Sequence, residues 1–217
     1  MNHALESLKS LFPDIRYNKK IYYNEIKQWA HDSYGASIPK ESDRSSWIAP
    51  DGGIWSLPEY GPVLAAEVKH QGTNDLPGKK KGSIGNAIER AAKNIMALQS
   101  YFYNRPHGAF PYVIFIAGCD FHPSETCYKK IECMTYCFEN PMVLVDPQDP
   151  DGDIQKILDW ITPERVRRKG PGGAVPLCFI KTHTYVGEKA MPHGSSQWKK
   201  NEIIDICAKI IQCVIKG

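Results

Sequence analysis

This sequence predicts an α/β fold with a mixed central sheet flanked by helices, on three observations. Strand-like and helix-like segments alternate along the chain. Two apolar runs, near 53–57 and 62–69, are joined by the turn residues PEYGP, close enough to pair antiparallel. Two later runs, PYVIFIA (111–117) and MVLV (142–145), are continuously apolar, as in strands covered on both faces, and can run parallel across a long helix.

The elements follow in order. Leu5, Leu8 and Leu11 fall at helical spacing in 3–12, which Pro13 ends. A second helix is expected over Tyr22 to Ala30, followed by a polar loop at 35–46. The hairpin comes next, then a basic, glycine-bearing loop, GTNDLPGKKKGS (72–83). Residues 86–103 read as a long helix with Ile88, Ala91, Ile95, Leu98 and Phe102 on one stripe. After the two apolar strands, an acidic turn (146–153) precedes a helix near 154–161. The basic stretch ERVRRKGPGG leads to a strand at 177–181, and an amphipathic helix covers 198–215. No repeat or low-complexity segment interrupts the pattern.

The 217 residues, 42% apolar and 24% charged, suit one compact domain spanning 1–217, with an arm near 72–86. A net charge of +3 does not by itself identify a nucleic-acid binder. The 7 cysteines include no CxxC pair, and Cys133 and Cys137 have no second ligand pair at finger-like spacing. Buried free thiols in a reducing cytosol are expected. No segment approaches the about 20 apolar residues that span a bilayer, so neither a membrane partner nor a signal peptide is expected.

The run Val63–Val68 closes by placing two opposite charges two residues apart. Strand alternation puts Leu64, Ala66 and Val68 on one face and Ala65, Glu67 and Lys69 on the other, so one face enters a core while the other carries charge. Pro50-Asp51-Gly52 alone reads as a turn, and Glu67-Val68-Lys69 alone as a solvated strand edge. Together they mean more, because a hairpin returns its second strand beside the start of its first and brings Asp51 toward Glu67. Two converging carboxylates repel unless a cation lies between them. Mg²⁺ suits two carboxylates, waters and phosphate oxygens, and the Val68 backbone carbonyl is a further candidate ligand. Such a site hydrolyses phosphodiesters: the metal polarises the phosphate and acidifies water, and Lys69 activates that water or stabilises charge on phosphorus.

These residues resemble the PD-(D/E)xK nuclease superfamily. The segments PDGGI, VLAAEVKHQG, GNAIERAAKN (85–94) and FPYVIFIAG (110–118) resemble, in the same order, those of the EcoRI family of restriction endonucleases. The likeness covers about 47–118 and is weak before and after that span, including 146–217. It implies a restriction-endonuclease-like fold and a cytoplasmic, prokaryotic, Mg²⁺-dependent homodimer that cuts double-stranded DNA, with a companion methyltransferase in the same host.

Lys79, Lys80 and Lys81 form a basic run between the catalytic strand and a helix start. They are either solvated surface or phosphate contacts. Asn86 is an N-cap or a base reader, since an Asn amide pairs with adenine N6 and N7. The resemblance implies that Asn86, Ala87 and Arg90 contact a central AATT. It also implies that Gly85 lets the backbone approach and that Glu89 and Arg90 reach across the subunit boundary. Gly82-Ser83-Ile84 departs from the family's best-known members where the outer base pair is read, so GAATTC is a first expectation and the flanking base stays open. Arg165 and Arg168 are a basic surface loop or match an arginine pair near the bases and scissile phosphate. Two other functions fit less well. A repair or phage nuclease needs no base-reading 85–90, and a catalytically dead DNA-binding module needs no intact Asp51, Glu67 and Lys69.

Overall fold

The structure, a computed structural model, describes residues 2–22, 47–70, 85–103, 108–117, 129, 131–133, 143–145, 150–167, 172–181, 185–186, 189–190 and 198–217. Its elements are helix α1 (Asn2–Leu11), strands β1 (Arg16–Asn18), β2 (Ile21–Tyr22), β3 (Trp47–Ile48), β4 (Ile54–Leu57) and β5 (Gly61–His70), and helix α2 (Gly85–Phe102). Strands β6 (Phe110–Ala117) and β7 (Val143–Val145) follow, then helices α3 (Pro150–Trp160) and α4 (Pro163–Val166). Strands β8 (Ala174–Lys181), β9 (Tyr185–Val186) and β10 (Lys189–Ala190) precede helix α5 (Lys200–Lys216).

Six strands form the central sheet in the order β1-β4-β5-β6-β8-β7. Strands β4 and β5 pair antiparallel, with Ile54 opposite Ala65. Strand β6 then runs parallel to β5, with Glu67 beside Ile114 and Lys69 beside Ile116, and β8 runs parallel to β6. The mixed sheet is therefore as the sequence predicts. Short-range pairing needs only a turn, whereas the parallel crossover needs the length of α2.

Alternation sends the side chains of β5, β6 and β8 into two cores. Leu64, Val113, Phe115, Leu177 and Phe179 pack with residues of α1, α3, α4 and α5. Ala65, Tyr112, Ile114, Ile116, Cys178 and Ile180 pack against the stripe Ile88, Ala91, Ile95, Leu98 and Phe102 of α2. All five predicted stripe residues are buried.

Several expectations are corrected. Leu8 is buried but Leu11 is 56% exposed; Phe12, one turn on from Leu8, packs against the core instead. Tyr22, the expected start of a helix, pairs with Trp47 in a short ladder, and the rest of that predicted helix lies outside the described residues. Helix α3 begins at Pro150, inside the acidic stretch expected to be a turn, because proline is tolerated in a first helical turn. Strand β8 begins at Ala174 rather than 177. Pro176 argues against a central strand, yet among the described residues β7 pairs only with Phe179–Lys181, which leaves Pro176 with a described strand neighbour on one side. Cys178, Cys207 and Cys213 are buried thiols as expected, Cys133 is exposed, and Cys119, Cys127 and Cys137 lie outside the described residues. Among the described residues, no helix is long and apolar enough to cross a membrane.

Candidate active site

The turn before β4 is built to aim one side chain. Gly53 N–H donates to the Pro50 carbonyl at 2.8 Å, closing the turn around Asp51 and Gly52. Gly52 N–H donates to the Ala66 carbonyl at 2.8 Å, and Ala66 N–H donates to Gly53 at 3.2 Å, stitching the turn to β5. Trp55 Nε1 donates to the Gly52 carbonyl at 2.9 Å and locks it from below. Gly53 has φ +70°, and a Cβ there would lie 2.2 Å from the Tyr17 ring, so only glycine fits. The Asp51 carboxyl is left 54% exposed at the mouth of the site.

Lys69 Nζ lies 3.4 Å from Asp51 Oδ2 and forms an ion pair with Glu67 Oε1. The structure therefore brings Asp51, Glu67 and Lys69 together, as their spacing predicts. It also corrects the expectation that their face of β5 is simply polar. That face lies under α2, and the Glu67 side chain is only 2% exposed. A buried carboxylate needs partners for both oxygens. Lys69 takes Oε1, and the Tyr112 hydroxyl donates to Oε2.

Tyr112 is the site residue that the sequence reading missed. It sits inside the apolar run of β6, beside Ala65 and one pair back from Glu67 on the same face. The available signal was the phenol itself: a tyrosine in a strand covered on both faces must find a polar partner. Burial, reinforced by the neighbouring Glu67 charge, holds this phenol well above the usual tyrosine range, and a side-chain hydrogen bond with Asn94 of α2 opposes the shift. At neutral pH it stays protonated and donates.

The donor set fits a hard divalent cation. Among the described residues no group of three or more His, Cys, Asp or Glu side chains gathers, so Asp51 and Glu67 would share the ion with other oxygens. Alternation points the Val68 carbonyl to the same side as the Ala66 carbonyl, toward the turn and beyond the last β4 pairing. Two carboxylates, one carbonyl and waters make a coordination sphere that Mg²⁺ accepts.

The other predicted residues fall unevenly. Lys79, Lys80, Lys81, Gly82, Ser83, Ile84 and Arg168 lie outside the described residues. Gly85, Asn86 and Ala87 form the start of α2, which places Asn86 within its first turn rather than before it. Glu89 and Arg90 are exposed on the next turn. Arg165 is exposed too, with its guanidinium 4.7 Å over the Trp160 ring and Nη1 donating to the Trp160 carbonyl at 3.1 Å.

Comparison with known proteins adds the following. A family model described as restriction endonuclease EcoRI matches residues 1–134. The type II restriction enzyme EcoRI of Escherichia coli is 41% identical over 54% of this chain and 47% of its own length. The type II restriction enzyme RsrI of Cereibacter sphaeroides is 40% identical over 36% of this chain and 32% of its own. The chain thus spans less than half the length of these curated relatives.

Proposed function

This chain belongs to the restriction endonuclease EcoRI family, and we propose that it is a type II site-specific deoxyribonuclease that hydrolyses double-stranded DNA with Mg²⁺. The observation that carries this reading is the convergence of Asp51 and Glu67 on Lys69 beside a locked turn. Bound Mg²⁺ would polarise the scissile phosphate and lower the pKa of a coordinated water. The chain's own residues do the rest. Exposed Asp51 meets the DNA backbone at the mouth of the site, while buried Glu67 holds a fixed inner position. The Lys69 ammonium reaches both carboxylates, and with a cation held by them it would be free to face the attacking water or the phosphate.

Recognition falls to the start of α2. Gly85, Asn86, Ala87 and Arg90 read a central AATT in the major groove, and Lys79–Lys81 contact phosphates. A two-fold homodimer presents two copies of this helix start, so the target is a palindrome, with GAATTC the first form to test. Cleavage before the first adenine leaves four-base 5′ overhangs and 5′-phosphates. The host then needs a methyltransferase acting on the same sequence.

Digestion of a plasmid with Mg²⁺, followed by sequencing of the cut ends, tests both parts. AATT overhangs are expected. Ends lacking AATT would overturn the base-reading roles, and the absence of Mg²⁺-dependent cutting would overturn the nuclease reading. With Ca²⁺ in place of Mg²⁺, specific DNA binding is expected with little hydrolysis. Ca²⁺ neutralises the carboxylates, but its larger, looser coordination positions water poorly. A gel-shift paired with a cleavage assay reads the two effects; efficient cutting in Ca²⁺ would contradict the site.

A further inference from the structure

We propose that Tyr112 is the positioning residue for Glu67 and that, through Asn94, it ties this carboxylate to the helix expected to read the bases. The inference rests on the metal-site reading of Asp51 and Glu67. Its basis is a continuous chain of side chains: Asn94 bonds the phenol of Tyr112, Tyr112 donates to Glu67 Oε2, and Lys69 pairs with Glu67 Oε1 and reaches Asp51. A hydroxyl has one proton, and here it is given to the carboxylate, so Asn94 must supply its amide N–H to the phenol oxygen.

Held at both oxygens, the Glu67 carboxylate cannot rotate about its last bond. With a cation in place of Lys69 at Oε1, the phenol would still anchor Oε2 and present the freed oxygen in one orientation. Ligating carboxylates are commonly held in this way by an outer hydrogen bond, and losing it weakens metal binding about 10–100-fold. Tyr112 could instead be a core tyrosine that satisfies its hydroxyl wherever it can. The side it faces argues otherwise: its partners are the buried carboxylate of the site and a side chain of α2. Asn94 stands one helical turn beyond Arg90, so a shift of α2 on engaging a base is passed to the metal ligand.

The test measures Mn²⁺ affinity of the full chain without DNA, from the loss of the free-ion electron paramagnetic resonance signal, beside thermal melting. Wild type, Tyr112→Phe, Asn94→Ala and Glu67→Gln are compared. Glu67→Gln is expected to remove the site, and Tyr112→Phe to weaken Mn²⁺ about tenfold while retaining the fold. Asn94→Ala should shift affinity the same way by less. In cleavage assays, Tyr112→Phe raises the metal concentration for half-maximal rate more than it lowers the plateau. If Tyr112→Phe binds Mn²⁺ like wild type while Glu67→Gln does not, the positioning role is overturned and the metal site stands. If Glu67→Gln also binds like wild type, the metal-site reading falls and takes the inference with it. Unchanged affinity in Asn94→Ala overturns the link to α2, and that variant carries the test should Tyr112→Phe fail to fold.

Discussion

Lys69→Ala is expected to lower DNA cleavage by at least about 10²–10³-fold, the range found when one preorganised charge-stabilising donor is removed. The ammonium is the one cation within reach of both Asp51 and Glu67 among the described ion pairs. Without it, no other described ion pair brings a positive charge to Asp51 and Glu67. The substitution falls near the end of β5, where the side chain is 11% exposed and belongs to neither apolar cluster, so core packing is kept, while the loss of an ion-pair partner for buried Glu67 should lower the melting temperature. Glu67 keeps its bond from Tyr112 in the variant. Single-turnover cleavage at saturating Mg²⁺, with circular dichroism of the same sample, separates chemistry from folding. Cutting at near wild-type rate would remove Lys69 from the mechanism.

The second large effect concerns stability. Lys181, at the end of β8, is 1% exposed and donates to Glu202 Oε2 of α5 at 2.5 Å. Its ammonium lies 4.8 Å over the Trp198 ring, and Trp198 Nε1 donates to the Ile116 carbonyl at 3.1 Å. Glu202 also accepts the Lys199 backbone N–H at 2.7 Å, at the start of α5. Truncating one member of a buried pair removes the opposite charge set against the other, at a cost of about 3–5 kcal/mol. Glu202→Leu should therefore lower the melting temperature by on the order of 10 °C. Removing both charges, in Lys181→Met with Glu202→Leu, should recover most of the loss, because an apolar replacement of a buried pair is often neutral. About 1 kcal/mol from the lost contact at the helix start should remain. Urea denaturation of the three proteins decides it; a double variant less stable than the single one would show that the pair is net stabilising.

Local periodicity made much of this protein legible. The α2 stripe from Ile88 to Phe102 and the β5 alternation from Leu64 to Lys69 repeat at 3.6 and 2 residues, so each names its own buried face. Asp51 and Glu67 were legible for a related reason, since a hairpin is a short-range object whose turn returns one strand onto the other. The family resemblance supplied what periodicity cannot, namely the reading of 85–90 as a base-contacting segment.

Tertiary structure alone decided the rest. Short strands such as Arg16–Asn18 and Ile21–Tyr22 carry too few residues for a period, and exist through pairing with Ile54–Ser56 and Trp47–Ile48. That Leu8 with Phe12, and not Leu11, meets the core depends on how α1 is rotated against its neighbours. The burial of Glu67 required α2 to cover its face. Its second partner is 45 residues away in sequence, within a run whose apolar pattern conceals the one hydroxyl that matters. Lys181 and Glu202 likewise find each other across 21 residues. A charged side chain carries no local sign of whether it will be solvated or enclosed. Its partner is set when the sheet and helices pack and water leaves, because only then does an unpaired polar group become costly.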